Sequence, residues 1–201
     1  MNKGRLEAFS DGVLAIIITI MVLEMKVPHS EGHVPGFADL KPVLPVFLSY
    51  VLSFIYVGIY WNNHHHLIKA ASGVSAGMMW ANLHLLFWLS LVPFASGWMG
   101  ENTFAAVPSA VYGFVLLMAA IAYYILQTII LAGYDCDSPI AASFGSDLKG
   151  KLSPLFYIAA IGLSFVNRWI ACSMYAIVAL IWLIPDRRIE RVIAKSPDEA
   201  E

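Results

Sequence analysis

Apolar residues run in six long stretches along the chain, at about 6–25, 43–66, 77–99, 104–132, 152–166 and 169–185. Most are of helix length rather than strand length, and the residues between them are rich in Gly, Pro, Asn, Asp and Ser. Residues 27–42, VPHSEGHVPGFADLKP, read as a polar loop, and 69–76 as a small polar turn. Gly100 to Asn102 reads as a tight turn, Tyr134 to Gly150 as a second long loop, and Val166-Asn167-Arg168 as a very short turn. A helix that crosses a bilayer needs about 20 mainly apolar residues. The fifth stretch is shorter, so its helix is expected to begin near Asp147, with Lys149 and Lys151 reaching the interface. The predicted fold is all-α: six transmembrane helices form one unit over residues 1–186, followed by a short basic cytoplasmic tail over 187–201.

Composition supports lipid as the solvent. Of 201 residues, 59% are apolar and 13% charged, about half the charge of an average soluble protein. Nucleic-acid binding is not expected, because no basic stripe lies outside the tail. Cys136 and Cys172 form no CxxC or zinc spacing. Lys3 and Arg5 mimic the start of a signal peptide, but Glu7 and Asp11 interrupt it and no small-x-small cleavage site follows Leu23. With six crossings, nine Lys and Arg (Lys3, Arg5, Lys69, Lys149, Lys151, Arg187, Arg188, Arg191, Lys195) fall on one side and three (Lys26, Lys41, Arg168) on the other. The positive-inside rule then places both termini in the cytoplasm.

The first helix carries the sharpest chemical signal. Between Val13 and Leu23 every side chain is apolar except Thr19, yet Arg5, Ser10 and Asp11 stand at its entrance. A charge in such a place pairs or serves a polar pathway. With Ile16 at zero and about 100° per residue, Gly12, Thr19, Ile20 and Leu23 fall within about 60° of it, whereas Ser10 and Asp11 lie beyond about 100°. Periodicity alone reads the stripe as lipid-facing or helix-packing surface. Asp11 needs donors, and the second and third helices offer Trp61, Asn62, Asn63, His64, His65, His66, Trp80, Asn82 and His84 at the same end.

Other chemistry is poorly supported. Consecutive His residues on a helix point about 100° apart, so His64, His65 and His66 cannot share one metal ion. No HExxH or Gly-rich phosphate loop occurs, and no nucleophile has a base nominated beside it, so the chain is not read as an enzyme. A voltage-gated channel plan fails: there is no TVGYG-like filter, the turn between the last two helices is too short for a pore loop, and the fourth helix has no Arg.

Arg5, then Phe9-Ser10-Asp11 and the run GVLAIIITIMVLEMKVP, resemble the signature of the transmembrane protein 175 family, potassium channels of bacteria, archaea and animal endolysosomes. YWNNHHHLI in the second helix and NLHLLFWLSLVPF in the third continue the resemblance. It implies a prokaryotic, single-unit member of the plasma membrane that assembles as a homotetramer, with the first helix of each subunit lining a central pore. The resemblance implies that Ile16, Ile20 and Leu23 form the pore constriction and that Thr19 supplies the hydroxyl ring for ion selectivity. Glu24 is then expected at the outer mouth. Arg5, Phe9, Ser10, Asp11, Trp61, Asn63, His66, Asn82 and His84 are expected to form a structural hydrogen-bond network behind the pore. The expected function is a potassium-permeable, weakly selective cation channel with a hydrophobic gate, needing no cofactor beyond the permeant ion. The alternatives are a proton-coupled transporter using Asp11 and the His64–His66 cluster, and a non-conducting scaffold.

Overall fold

The computed structural model describes residues 2–29, 34, 36–134 and 148–183. The loop expected between Tyr134 and Gly150 falls largely, and the basic tail wholly, outside the described residues. Helix α1 spans Lys3–Ile20 and continues as a 3-10 turn, Met21–Glu24. A second 3-10 segment, Phe37–Val43, leads into α2, Leu44–Ala70. Then come α3 (Ala76–Ser90), α4 (Val92–Glu101), α5 (Ala106–Leu131), α6 (Leu148–Leu163) and α7 (Arg168–Leu183).

Local chemistry sets these boundaries. The Asn2 side chain accepts a hydrogen bond from the Arg5 amide, and Ser75 accepts one from the Met78 amide, so α1 and α3 each start on a side-chain cap. The expected third helix is two. Pro93 has no N–H to give to Leu89, so the ladder breaks and α4 restarts at Val92. The expected loop over 27–42 is also corrected, since a 3-10 turn begins at Phe37. The Asp39 carboxylate accepts from the Gly36 amide at 2.8 Å and holds its start. The expected turn at Gly100–Asn102 lies later, because α4 runs to Glu101. The chain reverses instead at Thr103 and Phe104, whose φ angles are 50° and 58°. These are left-handed conformations that non-glycine residues adopt only when their surroundings hold them. Here the Phe104 amide donates to the Met99 carbonyl at 2.9 Å, and Arg168 donates to the Thr103 carbonyl at 3.3 Å.

By length and apolarity, four segments can cross a bilayer: Lys3–Glu24, Phe37–Ala70, Ala76–Glu101 and Ala106–Leu131. The apolar helices Leu152–Leu163 and Arg168–Leu183 are shorter. At 1.5 Å per residue, a 16-residue helix is about 24 Å long, against about 30 Å of hydrocarbon. Six equal spans are therefore not what the described residues form.

Helix α5 packs against α3, α4 and α6, α2 packs against α4, and α1 lies across α2 and α3. The interior is polar as well as apolar. Ser53 donates to Ser96 or Tyr112 at 2.9 and 3.0 Å, Tyr56 donates to the Tyr175 carbonyl at 2.6 Å, and Tyr175 donates to the Ser109 carbonyl at 3.0 Å. Hydroxyls buried in a membrane need such internal partners, because no water replaces them. Charges collect at the two ends. At one, the Lys3 ammonium donates to the Lys69 and Ala71 carbonyls at 2.6 and 3.1 Å, and Tyr134 donates to the Ala70 carbonyl, so the open end of α2 is covered. At the other, Lys26 pairs with Glu101 at 2.8 Å, a hydrogen bond that raises the Lys26 pKa above its ordinary value.

Helices α2 and α4 meet with almost no space between them. A Cβ on Gly100 would stand 2.6 Å from the Val46 Cα, which cannot move without its helix. Gly100→Val is expected to destabilise the subunit by about 1–3 kcal/mol or more, seen as a lower circular-dichroism melting temperature in detergent. Gly58→Ala, with nothing within 4 Å of the added atom, should shift stability by no more than about 1 kcal/mol.

Candidate functional site

Helix α1 has two faces with different partners. Leu6, Ser10, Leu14, Ile17 and Met21 recur at three- and four-residue intervals and are buried. Gly12, Ile16, Thr19, Ile20 and Leu23 lie on the outward side and are exposed. Ile16 is 60% and Leu23 76% exposed, high values for aliphatic residues in a helix whose opposite face is closed. Past Ile20 the 3-10 turn winds by about 120° per residue, so Leu23 falls in line with Ile20 rather than to one side. Thr19 donates its hydroxyl proton back to the Ala15 and Ile16 carbonyls, at 2.9 and 3.0 Å. Its oxygen lone pairs are left facing outward.

The inner face ends in a polar knot. Ser10 donates to the Leu6 carbonyl and accepts from the Asn82 amide, both at 2.9 Å. Asn82 Oδ1 lies 2.7 Å from His64 Nε2, which must therefore carry the proton. All three side chains are fully or almost fully buried. The bonds run from α2 through α3 into α1 and end on a backbone carbonyl. Beside them the Trp61 indole donates to Asp11 Oδ1 at 3.0 Å, and His65 Nδ1 meets Glu7 Oε1 at 2.8 Å. Trp61, His64 and His65 share one face of α2, as their spacing of three and four requires.

The residues expected behind the pore divide into two groups. Ser10, Asp11, Trp61 and Asn82 come together. His84 does not join them, since its Nε2 accepts from Trp88 one turn along its own helix at 2.9 Å. Asn63 also turns away, donating to the Ile59 carbonyl at 2.8 Å. His66 lies edge-on to the His65 ring, 5.6 Å away. Phe9 and Arg5 are exposed. Glu7, which meets His65, and the pairing of His64 with Asn82 were not singled out from the sequence. The signal was present: Glu7, Ser10 and Asp11 stand three and four apart, so one face of α1 carries them all. The three consecutive His rings go to three different neighbours, and no cluster of three or more metal-ligating side chains occurs among the described residues.

At the opposite end, Glu24 is exposed and lies along the backbone of α4. A Cβ on Gly97 would stand 2.9 Å from Glu24 Oε2. Glu24, Lys26, Asp39 and Glu101 border an open cleft of about 650 Å³ there.

This arrangement defines a polytopic helical membrane protein that leaves an apolar face of its first helix uncovered. Residues 5–93 match the family model described as the endosomal/lysosomal potassium channel TMEM175. A potassium channel of Chryseobacterium sp. (strain P1-3) is 54% identical over 98% of this chain and 100% of its own length. A potassium channel of Streptomyces collinus is 32% identical over 90% of this chain and 92% of its own. The crystal structure of a lysosomal potassium-selective channel TMEM175 homolog from Chamaesiphon minutus superposes with a TM-score of 0.74, at 26% identity, covering 92% of this chain and 97% of that one. The chain belongs to the TMEM175 family.

The knot can be probed through its central amide. Asn82→Leu strips the His64 N–H of its acceptor and is expected to lower stability by about 1–3 kcal/mol. Asp11→Asn keeps an oxygen for Trp61 and should cost about 1 kcal/mol or less. Thermal melts of both variants in detergent check the ranking.

Proposed function

We propose that the protein is a potassium-permeable, weakly selective cation channel of the prokaryotic plasma membrane. In this reading four copies assemble around an axis, and the outward stripe of α1 lines the pathway. The observation that carries it is the uncovered stripe Ile16, Thr19, Ile20 and Leu23, in a chain that aligns almost end to end with relatives named potassium channels. An apolar face on the first helix needs either lipid or other copies of itself, and the conduction reading gives it the second.

Rings of Ile16, Ile20 and Leu23 would form the constriction. Aliphatic rings offer no oxygen ligands, so an ion passes with most of its own water or waits for a dewetted gap to fill. Potassium holds its water less tightly than sodium and crosses such a neck at lower cost. Selectivity of this origin is modest. Because the Thr19 proton points back into the helix, a ring of Thr19 oxygens would present lone pairs to a cation and little to an anion. Glu24 at the outer mouth would raise the local cation concentration, with Lys26 already drawn aside to Glu101. The end that carries Lys3 and Lys69 is cytoplasmic on the charge bias, with both termini there. Helices α6 and α7 complete six crossings by sitting where the membrane is thinned or by snorkelling their flanking residues.

The transporter alternative has less behind it. Asp11 is held by Trp61, and the chain from His64 runs through an amide, which neither releases nor takes up a proton in an ordinary relay.

Purified protein in liposomes under a potassium gradient should pass potassium, and flux no greater than through empty liposomes overturns the reading. Ile16→Asn, which makes the neck wettable, and Leu23→Ala, which widens it, should each raise conductance several-fold. Single-channel recording checks this, and unchanged current from both variants moves the pathway elsewhere.

A further inference from the structure

A second cavity lies away from α1, bordered by α2, α5, α6 and α7 and partly open, with a volume of about 370 Å³. Its wall on α5 runs from Ala120 to Ala132, about 18 Å along the helix at 1.5 Å per residue. The lining is mainly aromatic and aliphatic, with no charged side chain among the described residues that form it. Several of its polar groups are already engaged. Asn63 donates to the Ile59 carbonyl, Thr128 to the Tyr124 carbonyl, and Ser153 to the Lys149 carbonyl while accepting from Trp182. Gln127 differs. Its side chain lines the cavity, is only 7% exposed, and has no hydrogen-bond partner among the described residues. Two amide protons and a carbonyl oxygen are therefore left for a partner. Inside a membrane an unsatisfied group of this kind costs several kcal/mol.

We propose that this cavity binds an uncharged, single-chain amphiphile from the bilayer, with a hydroxyl or amide head on Gln127 and its chain along the aromatic wall. The head must donate and accept, because a carboxamide offers both. It is neutral, because the described wall carries no counter-charge and burying an unpaired ion is prohibitive. It has one chain, because at ~30 Å³ per water-sized group the space holds about a dozen heavy atoms, far fewer than a two-chain phospholipid. The site is independent of the conduction reading, since its residues lie on neither face of α1.

Trp182 on the wall provides the readout. The detergent-solubilised protein is titrated with 10-bromodecan-1-ol, whose bromine quenches a nearby indole. The wild type should show saturable quenching, and Trp182→Phe should lose that component and keep only linear partition quenching. Gln127→Leu, similar in size without the amide, should weaken binding about tenfold, the value of a lost hydrogen bond of about 1.4 kcal/mol. Ala120→Phe, which fills the cavity, should abolish saturation. The anion 10-bromodecanoate should bind at least about tenfold more weakly than the alcohol. Melting temperatures of each variant separate lost binding from lost folding, and Trp182→Phe and Ala120→Phe test the site separately from Gln127. Linear quenching that is the same in wild type and Trp182→Phe overturns the proposal. So does unchanged affinity in a folded Gln127→Leu protein, or equal binding of the anion.

Discussion

The hydrogen bond from the Asn82 amide to the Ser10 hydroxyl joins the third helix to the first, and the 2.7 Å contact from Asn82 to His64 joins the third to the second. One buried carboxamide thus fixes three helices at one depth. Lipid does not compete for these bonds and supplies no hydrophobic drive to bring the helices together, so polar pairing and close packing decide the arrangement. The Trp61–Asp11 and His65–Glu7 contacts add to the same seam from its wetter side. Lys3 closes it by covering the carbonyls at the end of α2. The orientation of α1 follows from this seam, and with it the direction in which Ile16, Thr19, Ile20 and Leu23 point.

The two ends of α1 are held differently. The end near Lys3 is held by directional bonds. The far end is held by the burial of Met21 and by Glu24 lying close along Gly97. Between them, contact is made by Leu14 and Ile17, both almost fully buried, with Val13 and Ile18 packed partly buried beside them. In the proposed conduction reading, the constriction would fall at the middle and far part of a helix that is anchored most firmly at its Lys3 end.

Much of this was legible in the sequence because it depends on helical angle. Ser10 and Ile16 lie on opposite sides of α1 in any α-helix, and the six apolar stretches set the element count before the break at Pro93. Other features were hidden for identifiable reasons. Nothing in NNHHH tells which ring reaches a neighbouring helix, because that depends on how α2 is rotated against α3. His84 looked available, but Trp88 lies one turn away and takes its nitrogen. The reversal at Thr103 and Phe104 escaped notice because no glycine marks it; tertiary contacts to Met99 and Arg168 hold it instead. The shortness of α6 and α7 was half visible, since Pro154 and the flanking lysines blur where an apolar helix starts.

The outward stripe of α1 packs little inside its own subunit, while the inner positions one residue away are locked into the core. Selection can therefore act on the two sets separately. Change at Ile16, Thr19, Ile20 and Leu23 costs the folded subunit little, whereas change at Leu6, Ser10, Leu14 and Ile17 strikes its core. A single helix thus offers lineages an adjustable surface whose changes are not screened first by the requirement to fold.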